Sequence, residues 1–306
     1  MKIAVTGARG MLGSSIVQKW AELRPEDEVV GISRQDVDLR DARATEALIS
    51  ELQPDALIHC AAQVGGIAAN VANPSGFLSN NLQLDQSVIG GARSAGVDQF
   101  IYIGSSCMYP RDYRQPLVET DILAAPLEPT NEGYAIAKIA GAKQCEYLSR
   151  EFGVSYKTII PSNLYGPNDD YDTGHSHLVA AAISKLHAAK VAAADSVEIW
   201  GDGSARREFT YVDDLGDWLV RNFEEQWSWP SLMNVGCGYD HSVLELYEFA
   251  RDVVGFDGGF TFDTSKPAGM FQKLMDSSIA RGHGWDPQTT IETGMAISYE
   301  RYLAEH

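Results

Sequence analysis

Short apolar runs alternate with longer stretches of helical spacing through the first half of the chain. Ile3 to Thr6, Glu28 to Ile32, Ala56 to Cys60, Phe100 to Gly104 and Tyr156 to Pro161 have the length and apolar content of strands. Between them, Leu12 to Leu23, Ala42 to Leu52 and Leu82 to Ala95 carry apolar residues every three or four positions, the period of a helix with one buried face. Repetition of strand, helix, strand predicts right-handed crossovers and a parallel sheet covered on both faces. The expected fold class is therefore α/β, a doubly wound parallel sheet.

After Gly166 the pattern changes to a loop rich in Asn, Asp and Gly, an Ala-rich helix, and runs too irregular for further βαβ units. A smaller C-terminal α+β substrate domain is expected there. Residues 1–166, completed by about 208–237, are read as the first domain, and 167–207 with 238–306 as the second. A chain of 306 residues has room for both.

Composition narrows the function classes. With 44% hydrophobic and 22% charged residues, the chain is unlike a disordered, collagenous or disulfide-framework protein. A formal net charge of −18 argues against a broad grip on nucleic acid or an anionic membrane, because phosphate contacts need a basic surface. An anionic ligand must instead meet a few local cations. Cys60, Cys107, Cys145 and Cys237 lack metal-ligand spacing, and no apolar stretch approaches the roughly 18 residues of a membrane span. No metal is expected, and the chain reads as cytoplasmic.

The first strand runs into Gly7-Ala8-Arg9-Gly10-Met11-Leu12-Gly13. Glycines at this spacing permit a tight turn and close approach of backbone N–H groups to a pyrophosphate, with the following helix N-terminus supplying partial positive charge. Where a protein that prefers NAD usually carries an acidic residue, the second strand ends in Gly31-Ile32-Ser33-Arg34. Arg9 and Arg34 together suit a ribose 2′-phosphate, so NADP(H) is the expected cofactor.

Tyr134 and Lys138 lie four residues apart, on one face of the helix they would share, where the ammonium would favour the phenolate. The strand Phe100 to Gly104 ends in Ser105-Ser106-Cys107, and ligands of such sheets bind beyond the carboxyl ends of the strands. Glycine loop, Ser105 and Tyr134-Ala135-Ile136-Ala137-Lys138, in this order, resemble the extended branch of the short-chain dehydrogenase/reductase superfamily, which implies a Rossmann domain. In that branch Ser105, Tyr134 and Lys138 would handle the proton of a hydride transfer.

Val64-Gly65-Gly66-Ile67, Gly104-Ser105-Ser106-Cys107-Met108-Tyr109-Pro110, Glu128-Pro129-Thr130-Asn131-Glu132 and Asn163-Leu164-Tyr165-Gly166-Pro167 extend the resemblance to the GDP-L-fucose synthase family. The implied chemistry is NADPH-dependent: epimerisation of a GDP-linked 4-keto-6-deoxy hexose at C3 and C5, then reduction of C4. Both carbons flank the ketone, so removal of either proton gives an enolate that donors from Tyr134 and Ser105 can stabilise.

The same resemblance assigns the epimerisation acid and base to Cys107 and His177. It places Lys185, Trp200 and Arg207 against the substrate, and implies a homodimer. For the cofactor it points to Gly7, Arg9, Gly10, Met11, Leu12, Gly13, Arg34, Asp38, Leu39, Lys138, Pro161, Asn163, Leu164 and His177. A neighbouring cation or hydrogen bond is expected at Cys107, because a thiol of ordinary pKa, about 8.5, is only about 3% thiolate at neutral pH. Asp213 and Asp214 read as structural, and Cys60, Cys145 and Cys237 as packing.

One stretch departs from the family pattern: Lys266-Pro267-Ala268-Gly269 lacks the acidic residue usual at the third position. A related colitose- or deoxyheptose-type substrate is therefore the alternative reading. An NAD-dependent nucleotide-sugar 4-epimerase is opposed by Arg34 and Cys107, and a silent scaffold by the retained Ser105, Tyr134 and Lys138.

Overall fold

The computed structural model describes residues 1–171, 176–266 and 269–305. Its first part is β1 (Lys2–Thr6), α1 (Met11–Leu23), β2 (Glu28–Ile32), α2 (Ala42–Leu52), β3 (Ala56–His59), α3 (Ile67–Ala72), α4 (Pro74–Ser94) and β4 (Gln99–Ile103). Then come α5 (Glu132–Phe152), β5 (Ser155–Pro161), β6 (Asn163–Tyr165) and α6 (Leu178–Val191). The remainder is β7 (Ser196–Trp200), β8 (Arg206–Arg207), β9 (Phe209–Tyr211), α7 (Val212–Arg221), β10 (Leu232–Val235), β11 (His241–Ser242), α8 (Val243–Val254), β12 (Gly259–Asp263), β13 (Gln272–Lys273), α9 (Ser278–Gly282) and α10 (Ile291–Glu305).

Six strands form one parallel sheet in the order β10-β5-β4-β3-β1-β2. Alternate residues of each strand face opposite layers, and both layers are apolar. Ala4, Leu57, Phe100 and Tyr102 pack under α2, α4 and α5 with Ile49, Val88, Ile89 and Ala142. Ile3, Val5, Ile58, Ile101 and Ile103 pack under α1 and α7 with Ile16, Trp20, Leu215 and Leu219. The chain leaves β1 for β2 on one side and crosses to β3 on the other, so a crevice opens at the carboxyl ends of β1 and β3, where ligands of such sheets bind.

Helix starts explain where apolar spacing misled. α4 begins at Pro74, eight residues before the periodicity predicts. Pro occupies the first turn, where its missing N–H costs nothing, and the Asn73 side chain accepts from the Gly76 N–H. The second half holds parallel pairs after all, β13 with β8 and β7 with β12, the latter under a third apolar cluster that includes Ile183 and Leu186 of α6, Leu246 of α8 and Met295 of α10. These strands are too far apart in sequence for local spacing to reveal their pairing. The intervening segment returns to the main sheet, where β10 pairs with β5 and α7 lies on α1.

Candidate active site

The glycine loop sits at the crevice. Gly7 has φ +67°, and a Cβ there would lie 2.8 Å from the Ala61 N just beyond β3. Gly13 packs its α-carbon against the Gly7 carbonyl, leaving no room for a side chain. Gly10 caps α1, whose first turn carries no acidic residue, so its free N–H groups face the loop. The Ala8 N–H reaches the Ile32 carbonyl at 3.3 Å and ties the loop to the end of β2.

Arg9 and Arg34 are both exposed at this edge and in no ion pair among the described residues. Each acts on the same following loop: Arg9 helps lower the Asp36 carboxyl, and Arg34 the Asp38 carboxyl. Asp38 is held at about 2, chiefly by hydrogen bonds from Arg40, and so is spoken for within the loop. Leu39 is buried. Met11 and Leu12 open α1, while Pro161 ends β5 and Asn163 and Leu164 lie in β6.

Ser105 follows β4 and caps a single 3₁₀ turn, Ser106–Met108, by accepting from the Cys107 N–H at 3.2 Å. Tyr134 stands in the first turn of α5. Burial pushes its phenol well above the ordinary tyrosine range, Cys107 and Asp85 push it further, and the Ser105 hydroxyl opposes them.

The expected direct help from Lys138 needs correction. Its ammonium, 2% exposed, donates to the Ile103 carbonyl at 3.0 Å, lies 4.5 Å from the Tyr102 ring centre and sits 3.9 Å from Asp85 Oδ1. The i, i+4 spacing fixed the shared helix face; the counter-charge buried beneath that face decides where the ammonium points.

Asp85 is the centre of a buried chain of polar groups. It accepts from the Tyr102 hydroxyl at 2.5 Å and pairs through Oδ1 with His59 Nε2 at 3.1 Å. Thr6 Oγ1 lies 2.6 Å from His59 Nδ1, and the Ala61 N–H donates to the same Thr6 oxygen. Burial pushes the Asp85 carboxyl up but is outweighed by Lys138, His59 and Tyr102, so its pKa is lowered, while burial depresses His59. A carboxylate beside a neutral imidazole assigns the proton to Nε2, leaving Nδ1 to accept from Thr6.

Cys107 meets both kinds of group expected of it. Asn131 Nδ2 lies 3.1 Å from its sulfur and Lys273 Nζ 3.8 Å. Lys273 belongs to β13, which pairs with β8 in the register Lys273 with Arg207. Burial lowers the Arg207 pKa, and Cys107 and Glu128 act against that burial. The pairing of β13 with β8 thus sets Lys273 beside the thiol with Arg207 next to it in register.

His177 caps α6, with Nδ1 3.2 Å from Asp169 Oδ1. Farther out, Lys185 Nζ and Lys266 Nζ lie 5.5 and 5.6 Å from the centre of the Trp200 ring, which is 42% exposed. Burial lowers Lys185. Ala268, where the sequence departs from the family pattern, lies outside the described residues.

Sequence reasoning missed Asp85, His59, Asn131, Lys273 and Asp169. Asn81 and Asp85 repeat at helical spacing with Val88, Ile89 and Ala92, all buried, so a carboxylate on an apolar stripe was the available signal for Asp85. Asp213 and Asp214 are structural: Asp213 accepts from Ser15 Oγ, and Asp214 accepts from Thr289 through both its N–H and its hydroxyl. Cys145 and Cys237 are buried and Cys60 partly so.

Residues 3–236 match the NAD dependent epimerase/dehydratase family. The GDP-L-fucose synthase of Azorhizobium caulinodans is 42% identical over 99% of this chain and 96% of its own length. The GDP-L-colitose synthase of Yersinia pseudotuberculosis is 40% identical over 100% and 99%. Among solved structures, the GDP-mannoheptose C4 reductase of Campylobacter jejuni with NADP bound superposes with a TM-score of 0.88 at 29% identity, covering 99% of this chain and 98% of that one. With its glycine loop at the β1/β3 crevice and Ser105, Tyr134 and Lys138 gathered beyond β4, the chain belongs to the NAD dependent epimerase/dehydratase family.

Proposed function

We propose that the chain is an NADPH-dependent GDP-L-fucose synthase, epimerising GDP-4-keto-6-deoxy-D-mannose at C3 and C5 and then reducing C4. The observation that carries this reading is Cys107, two residues from Ser105 and set among Asn131, Lys273 and Arg207. Hydride transfer alone needs no thiol beside the carbonyl donors.

The loop fits a dinucleotide: Gly7 and Gly13 let the turn close tightly on Ala61 and on itself, Gly10 puts no side chain at the head of α1, and Arg9 and Arg34 would hold a 2′-phosphate. When bound, NADPH supplies the hydride that reduces C4. Tyr134 and Ser105 donate hydrogen bonds to the C4 oxygen and draw electron density from the ketone. Cys107 as thiolate removes a proton from the adjoining carbon, and Asn131 and Lys273 steady the charge on its sulfur. His177 returns a proton to the opposite face. In the reduction, Tyr134 delivers its phenolic proton to the C4 alkoxide, and the Lys138 ammonium, directed at Asp85 and the Ile103 carbonyl rather than at the phenol, lends only the longer-range attraction of its charge, against the repulsion of Asp85.

Lys185, Lys266 and Arg207 are the cations that meet the nucleotide diphosphate, and Trp200 offers an exposed ring to the same ligand. A cofactor lobe of residues 1–166 with 208–237 and a substrate lobe of 167–207 with 238–306 belong to the same proposal. So do a homodimer, supported by the exposed Ile136 and Tyr147 on α5, and a cytoplasmic location, supported by four free thiols. No helix among the described residues is long and apolar enough to cross a membrane.

Incubation with GDP-4-keto-6-deoxy-D-mannose and NADPH tests the reading. One NADPH consumed per GDP-L-fucose, identified by NMR, is expected; a product still of D-manno configuration at C3 and C5 overturns it. The 40% identity to the colitose enzyme and the departure at Ala268 favour a colitose-type 4-keto sugar as the second reading, decided by comparing kcat/KM for the two substrates.

A further inference from the structure

We propose that Asp169 is a positioning residue for His177: its carboxylate holds the imidazole by Nδ1 and leaves Nε2 as the nitrogen that gives a proton in the cleft. The use of that proton rests on the epimerisation proposed above; the geometry of the pair does not.

The two residues come from opposite ends of one excursion, Asp169 from the loop after β6 and His177 from the cap of α6. The loop is fixed at its start: Asn168 takes φ +62° and its side-chain amide donates to Ser14 Oγ of α1 at 3.1 Å. That bond ties the Asp169 backbone to the glycine-loop helix. Asp169 Oδ1 accepts from the Asp170 N–H at 2.8 Å and meets His177 Nδ1 at 3.2 Å.

The environments of the partners differ. The Asp169 side chain is 4% exposed and that of His177 41%. A buried carboxylate has lost its water and needs donors; Oδ1 has two, and Oδ2 has none among the described residues. Protonating His177 gives this carboxylate a charged donor without moving an atom. The bond to Asp169 is the main cause raising the His177 pKa, burial opposes it, and Asp169 and Asp170 are the charged groups acting on the ring.

With Nδ1 committed, Nε2 is the nitrogen left for chemistry, and the neutral ring carries its proton on Nδ1, the reverse of the tautomer a free imidazole favours. In the proton-return step the Nε2–H bond breaks and the enolate carbon's electron pair forms the new C–H bond. The enolate oxygen collapses to the ketone. The imidazole is left neutral, with Nδ1–H still on Asp169, and regains a proton from solvent.

The wild-type protein tests the pairing directly. Imidazole ¹⁵N–¹H spectra of the free protein, with the His177 signal identified by its loss in His177→Gln, should show the Nδ1–H tautomer above the titration. Asp169→Asn should make His177 titrate at lower pH than in wild type. It should also slow C3/C5 solvent exchange at pH 8 by about tenfold or more, a part of the roughly 10²–10⁴-fold that a general acid contributes, with a smaller loss at pH 6. An Nε2–H tautomer in the wild type, or an unmoved titration in Asp169→Asn, overturns the proposal. Absence of any exchange by the wild-type protein would instead remove the epimerase reading and leave the tautomer measurement to decide the pair.

Discussion

Asp85→Ala removes the acceptor shared by His59, Tyr102 and Lys138, all buried beneath the site. Lys138 would keep the Ile103 carbonyl but lose its counter-ion in a place water does not reach. Breaking a buried pair by deleting one partner costs about 3–5 kcal/mol, because the surviving charge is left uncompensated. Tyr102→Phe removes only one donor and leaves the pair intact, so it should cost roughly 1.5–3 kcal/mol, the range for a bond to a charged group. At about 2–4 °C per kcal/mol, the Asp85→Ala loss lowers Tm by roughly 6–20 °C. Urea unfolding followed by tryptophan fluorescence reads both variants, and an unchanged m-value confirms that stability rather than compactness has moved. Adding Lys138→Met to Asp85→Ala should recover part of the loss, since neither charge then remains. An Asp85→Ala loss below about 1 kcal/mol, or a double variant less stable than Asp85→Ala by the full cost of Lys138→Met alone, refutes the counter-ion argument.

Cys107→Ser should cut deuterium exchange at C3 and C5 by at least about a hundredfold, as expected for loss of a positioned base, while a substrate already in the L configuration is still reduced; ¹H NMR follows both. Arg34→Ala should weaken NADPH binding by about tenfold or more and leave NADH binding unchanged, because only NADPH offers a 2′-phosphate for a charge-assisted bond; equal losses in calorimetry would remove Arg34 from cofactor choice. Burial raises the Glu208 pKa from an ordinary 4.5 to about 7, although Gly238 and Met275 N–H groups donate to its carboxylate. The folded state therefore binds the extra proton between those values, and stability should fall by on the order of 3 kcal/mol as pH rises through that window. Glu208→Gln should flatten this decline in urea midpoints taken from pH 4.5 to 8, and an equally steep decline would contradict it.

The parallel sheet was legible because its strands are buried on both faces and read as continuous apolar runs, as β1, β3 and β4 show. The glycine loop, Ser105 and Tyr134 were legible because each requirement is local: a turn without side chains, a strand end, a helix face. What remained hidden depends on distant partners. Lys273 reaches Cys107 across 166 positions through the pairing of β13 with β8, which no local period encodes. The small residues of α5 show the same limit. Ala137, Ala140 and Gly141 leave this helix without bulk on one side, and in the fold a Cβ at Gly141 would meet the Tyr102 ring at 2.6 Å. That neighbour lies within the same chain, and the ring is the one whose hydroxyl binds Asp85. The glycine thus serves the network under Lys138 and says nothing of a second copy.

The central claim is that one polarised ketone serves both proton exchange and hydride acceptance, held by Tyr134 and Ser105. Exchange can be read alone, by incubating the 4-keto substrate in D₂O without NADPH, and reduction alone, by NADPH consumption with an L-configured ketone. In Ser105→Ala the loss of one donor should slow both by about 10²–10³, the usual cost of an oxyanion donor, and by similar factors. Wild-type exchange at C3 and C5 alongside a hundredfold slower reduction would show that the two steps do not share the carbonyl contact.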